Sequence, residues 1–142
     1  MEPENNVDLI IESFLKVGTE KELVVVGDVF YKSSFARKIK NINNPRVRFL
    51  GAIYDKDKIR ELFCNAFAYV HGHEVGGTNP SLLKAMGCGI LCLALKVLFN
   101  LEVLDDAGIF FNKEPNDLAR KMDYLIKNPE HCAEKVRKEG EN

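Results

Sequence analysis

The chain has 142 residues and 16.1 kDa, with 46 % apolar residues, 20 Lys plus Arg and 21 Asp plus Glu. That length suits one domain, 1–142, with a single ordinary core that buries roughly 68–70 % of the unfolded surface. A net charge of −1 without clustered cations excludes a basic nucleic-acid binder, and no tract approaches the ~20 apolar residues of a membrane span. The opening residues Met1-Glu2-Pro3-Glu4 are acidic and lack the apolar core of a signal peptide.

In chain order, Val7, Ile10, Ile11, Phe14 and Leu15 recur at helical spacing, and Gly18 is the expected C′ residue that ends this helix. Residues 23–27 are Leu-Val-Val-Val-Gly, a solidly apolar run expected of a strand covered on both faces. Phe35, Ile39 and Ile42 predict a second helix, with Arg37, Lys38 and Lys40 on its wet face. A strand is expected at 46–50. The helix carrying Ile59, Leu62, Phe63 and Ala66 then opens on Asp55 and Asp57, which suit the positive end of its dipole. Strands at 67–71, 90–95 and 108–111 follow, the first two separated by a helix from Pro80 to about Met86. Leu118, Met122, Leu125 and Ile126 mark a last helix before a polar tail that contains His131. Asp105-Asp106 reads as a turn. Alternating strands and helices predict an α/β domain, a parallel sheet with helices on both faces. Cys64, Cys88, Cys92 and Cys132 fall at gaps of 24, 4 and 40 residues, matching no zinc pattern or small disulfide framework. Four buried thiols in a reduced cytoplasm are expected.

Ligands of such sheets bind at the carboxyl ends of the strands, and one loop there is unusual. After the strand at 67–71 come Gly72-His73-Glu74-Val75-Gly76-Gly77-Thr78-Asn79 and then Pro80. Asn79 suits an N-cap, and Pro80 at the first helical position lacks the N–H that would go unpaired. Gly76 and Gly77 admit close backbone approach. Two readings fit: an anion site suited to phosphate, or a tight strand-to-helix turn. Other constellations are weaker. His71, His73 and Glu74 have poor geometry for a metal, so no metal site is expected. Ser81 has no His or Asp nearby in sequence to activate it.

The run from His71 to Gly89, His-Gly-His-Glu-Val-Gly-Gly-Thr-Asn-Pro-Ser-Leu-Leu-Lys-Ala-Met-Gly-Cys-Gly, resembles the donor-site segment of retaining GT-B glycosyltransferases of the family-4 type. It is most similar to their rhamnosyltransferase-like branch. Supporting segments occur in the same order: Pro3-Glu4-Asn5-Asn6, Val24-Val25-Val26-Gly27-Asp28, Val47-Arg48-Phe49-Leu50-Gly51 and Asn100-Leu101-Glu102-Val103-Leu104. The resemblance implies a Rossmann-like domain, the C-terminal half of a GT-B fold, that binds a nucleotide-diphosphate sugar. By it, Gly76, Gly77, Thr78 and Asn79 serve the diphosphate and sugar. His73 and Glu74 lie by the sugar as the candidate catalytic pair, and the 51–54 loop, with Gly51, Ile53 and Tyr54, lies near the base. No metal or other cofactor is implied.

Three departures matter. The family's ribose-binding glutamate is Lys84 here, which offers donors only and would pair with phosphate or with solvent. The family's basic pair is missing, Asn5 standing where its lysine falls. The first strand of the family's sheet, expected between the strands containing Val25 and Tyr69, is also missing. Residues 1–142 therefore read as part of a larger enzyme of polysaccharide or glycolipid synthesis, inactive alone. Its implied partners are a nucleotide sugar and an N-terminal acceptor-binding domain or separate subunit, through which it would meet a membrane surface. The alternative is a non-catalytic remnant or docking subunit. A flavodoxin-like or receiver domain lacks support, because the first strand carries no acidic or phosphate-binding loop.

Overall fold

The structure is a computed structural model that describes residues 6–26, 44–72, 80–104, 108–114 and 116–130. In chain order these form α1 (Val7–Leu15), β1 (Leu23–Val26), β2 (Val47–Gly51), α2 (Lys56–Cys64), β3 (Ala68–His71), α3 (Pro80–Gly87), β4 (Leu91–Leu95), α4 (Leu98–Leu104), β5 (Ile109–Phe111) and α5 (Asp117–Lys127). The helix expected around Phe35, Ile39 and Ile42, the turn at Asp105-Asp106 and the tail with His131 lie outside the described residues.

Every strand pairing is parallel, as the strand–helix alternation predicts. Among the described residues the strands form two sheets, β1-β2 and β3-β4-β5. The interruption falls between β1, which holds Val25, and β3, which holds Tyr69. Helix α1 bridges it. At its start the Asn6 side chain donates to the Gly72 carbonyl at the end of β3, 2.8 Å away. At its finish the Arg46 guanidinium, just before β2, donates to the carbonyls of Val17 at 2.7 Å, Thr19 at 3.2 Å and Leu15 at 3.3 Å. At the opposite edge Lys21, preceding β1, sets its ammonium 4.2 Å from the centre of the Phe67 ring, preceding β3.

Strand β4 divides the core because successive side chains point to opposite faces. Leu91, Leu93 and Leu95 join Ile10, Ile11 and Phe14 of α1 and Leu118, Met122 and Leu125 of α5. Cys92 and Ala94 face the other way, onto Leu82 and Ala85 of α3 and Leu104 of α4, with Phe63 of α2 alongside. Helices thus cover both faces. The corner into α5 is closed by Asp117, a buried carboxylate that accepts from the Asn112 amide at 2.7 Å and from the Lys121 ammonium at 3.1 Å. These contacts, the amide foremost, hold its carboxyl below the usual range against the opposing effect of burial.

Three expectations are corrected. Helix α1 ends at Leu15 with Lys16 as its right-handed cap: the Ser13 and Phe14 carbonyls accept from the Lys16 and Val17 amides and the Leu15 carbonyl from Arg46, with no turn at Gly18, whose φ is not positive. Helix α4 was not anticipated: its seven residues are too few to show a period, and the buried Asn100 anchors it through the Leu95 carbonyl at 2.9 Å. Cys64 and Cys88 are not thiols but a disulfide, with Cα atoms 4.9 Å apart, because packing of α2 on α3 brings together positions 24 apart in sequence. Cys92 is a buried thiol, as expected, and Cys132 lies outside the described residues.

Candidate functional site

The carboxyl edges of β2 and β3 each lead into a helix, and the two helices lie side by side. At the end of β2 the pairing slips past Leu50, so that Val26 stands opposite Gly51. Gly51 has φ +71°, a left-handed conformation that side-chain-bearing residues rarely adopt. This turn swings residues 52–55 outward into the cap of α2. Asp55 accepts from the amides of Asp57 at 2.9 Å and Lys58 at 3.4 Å, as the acidic start of the helix predicts. The start of α2 is therefore satisfied by its own carboxylate and offers little to an anion. Just before it, Ile53 is half-buried and Tyr54 is 88 % exposed, a free aromatic face beside the edge.

The end of β3 is built differently. His71 is only 1 % exposed, and its Nδ1 lies 3.0 Å from the Tyr69 hydroxyl. Tyr69 also bonds the side chain of Ser81, in the first turn of α3. Burial pushes the Tyr69 hydroxyl well above the usual phenol range, with the Ser81 hydrogen bond opposing. A neutral Tyr69 thus ties the last residue of β3 to the first turn of the helix beyond the glycine loop. The His71 ring is engaged inside the domain rather than presented to a ligand at the edge. Sequence reasoning missed this network, as it missed Asn6 and Arg46. A tyrosine and a histidine two apart on a strand were its only signal, since such residues share one face.

Helix α3 begins at Pro80 and is eight residues long, matching the expected span to within one residue. His73, Glu74, Gly76, Gly77, Thr78 and Asn79 lie outside the described residues, while Gly51, Ile53, Tyr54 and Lys84 lie within them. Lys84 is exposed in the last turn of α3, about 6 Å along the axis from Pro80. Among the described residues no group of three or more His, Cys, Asp or Glu side chains could hold a metal ion. No helix among them is long and apolar enough to cross a membrane.

Solved structures share this arrangement. The Anabaena protein HepE, in complex with UDP and glucose, superposes with a TM-score of 0.82 at 19 % identity, over 95 % of this chain and 39 % of that one. HepE has also been solved with UDP alone and with UDP-glucose. The catalytic domain of the cholesterol-α-glucosyltransferase from Helicobacter pylori matches with a TM-score of 0.77 at 18 % identity, over 99 % of this chain and 89 % of that one. Sucrose-phosphate synthase from Thermosynechococcus elongatus gives 0.79 at 18 %, over 97 % and 38 %. The chain thus spans about two fifths of the length of HepE. No curated protein matches the sequence. The fold is that of the Rossmann-like C-terminal domain of GT-B glycosyltransferases. The family model for glycosyl transferases group 1 matches residues 1–142, and the chain belongs to that family.

Proposed function

We propose that this domain is the donor-binding half of a retaining glycosyltransferase of the family-4 type, in its rhamnosyltransferase-like branch. Joined to an acceptor-binding half, it transfers a hexosyl group from a nucleotide-diphosphate sugar to a polysaccharide or glycolipid acceptor on the cytoplasmic side of a membrane. The observation that carries this is the junction at the end of β3. There Tyr69 ties the last residue of β3 to Ser81 in the first turn of α3, the helix that follows the Gly76-Gly77-Thr78-Asn79 segment in sequence. Amides at a helix start suit the charge that develops on a departing diphosphate, so no metal is required. The base stacks by Gly51, Ile53 and Tyr54, and His73 and Glu74 flank the sugar. Neighbours solved with UDP, or with UDP-glucose, support the ligand class.

Lys84 favours the second reading, a docking subunit or remnant. Exposed on α3, it stands where the family's ribose-binding carboxylate is expected and cannot accept from hydroxyls. Titration of the chain with UDP, GDP, ADP and dTDP separates the two. Saturable binding of one of them, tightened about ten-fold or more by Lys84→Glu, supports the donor site. No saturation with any nucleotide, in either chain, supports the docking subunit.

A further inference from the structure

Helices α2 and α3 both start at the carboxyl edge and both end at the opposite edge, where the Cys64–Cys88 disulfide joins them. Cys64 is the last residue of α2 and Cys88 the first after α3. A second coupling runs alongside the bond. Phe63 sets its ring edge-on to Tyr69, with centroids 5.3 Å apart, and the Tyr69 hydroxyl holds Ser81 in the first turn of α3. The far ends of the two helices are thus tied covalently, and the near end of one is tied to the same core.

We propose that Cys64–Cys88 is a thiol–disulfide exchange site whose state sets how firmly the starts of α2 and α3 are held beside the nucleotide site. The exchange chemistry stands alone; the effect on nucleotide rests on the donor-binding reading.

Cys64 is exposed and Cys88 half-buried, so an incoming thiolate reaches Cys64. It bonds to the Cys64 sulfur, the Cys64–Cys88 bond breaks, and Cys88 leaves as thiolate and takes a proton from water. The second thiol of the same dithiol reductant attacks the mixed disulfide as its thiolate and releases Cys64, which is protonated in turn. Two electrons pass to the protein, and the reductant departs as its own disulfide. Both cysteines sit at the carbonyl ends of helices, where the dipole disfavours thiolate. The pair lacks the positive helix start that activates a thiol nucleophile. It is therefore acted upon by dithiols rather than being an oxidoreductase centre. Cys92 is 2 % exposed, with its sulfur 3.8 Å from the Ile90 carbonyl, and serves as an unreactive internal reference.

The test compares the chain equilibrated in oxidised glutathione with the chain in dithiothreitol. Peptide mapping in denaturant is expected to find Cys64 and Cys88 joined to each other in the first state and both free in the second. Reduction opens a loop spanning 24 positions and is expected to lower Tm by roughly 5–15 °C. Amide exchange in α2 and α3 should quicken ten-fold or more, while β4 stays unchanged. UDP affinity, or that of whichever nucleoside diphosphate binds, should fall five-fold or more. The Cys64→Ser/Cys88→Ser chain should match the reduced state and ignore dithiothreitol; should it not fold, the reduced wild type supplies the same comparison. Cys64 and Cys88 found unjoined in oxidised glutathione overturn the proposal, as do equal Tm and equal exchange in the two states. Redox-dependent exchange in α2 and α3 with no nucleotide bound in either state supports the exchange site and overturns the donor reading alone. Redox-dependent exchange with unchanged affinity overturns the coupling to the nucleotide site.

Discussion

Strands β1 and β4 are written alike and buried unalike. Leu23-Val24-Val25-Val26 and Leu91-Cys92-Leu93-Ala94-Leu95 are both unbroken apolar runs. Every residue of β4 is buried, because β3 and β5 flank it and helices lie on both faces. Among the described residues β1 pairs with β2 alone, and its Val24 and Val26 are 42 % and 38 % exposed. An apolar run therefore reports what a strand can tolerate on its two faces, not what covers it. The parallel pairing with β2 and the bridging α1 attach β1 to the domain without burying Val24 and Val26.

The largest expected effect sharpens this contrast from the buried side. Leu93→Ala in β4, at a site with no exposure, should cost about 2–5 kcal/mol in urea unfolding. A smaller loss is expected at the corner beyond β5. Asp117→Asn, which weakens the bonds to the Asn112 amide and the Lys121 ammonium, should cost about 1–2 kcal/mol at neutral pH. The same variant changes the acid limb. Because the folded carboxyl titrates below its ordinary value, its stabilisation is complete above about pH 4 and is lost as pH falls through the lowered value. Wild-type stability should therefore fall more steeply than that of Asp117→Asn across that window in acid titrations of unfolding. The smallest effect belongs to β1: Val24→Thr should change stability by no more than about 0.5 kcal/mol. A cost near that of Leu93→Ala would break the comparison, by showing that β1 is as enclosed as β4.

Much of the domain was legible in its sequence. Periodicity found α1, α2 and α5, the start signal at Pro80 found α3, and short apolar runs found the five described strands, because each signal lies within a few residues. Features set by distant residues were not legible. The chain just after α1 is held by Arg46, 29 positions beyond the Val17 carbonyl to which it donates. The disulfide depends on how two helices pack, which no spacing rule encodes. At the site, the cap at Asp55 and the start at Pro80 were readable from local chemistry, while the glycine loop lies outside the described residues. The Tyr69–His71–Ser81 network was not, because it joins a strand to a helix across that loop.

The proposed nucleoside diphosphate site lies at the carboxyl edge, between the loop ending β2 and the start of α3. Amide chemical-shift mapping tests it most directly, with 15N-labelled chain titrated with UDP and its GDP, ADP and dTDP counterparts. Saturable shifts from one of them are expected, concentrated in 51–54 and 76–82, with α5 and the opposite edge silent. Shifts confined to any other surface, or none from all four nucleotides while the spectrum remains that of a folded domain, would contradict it.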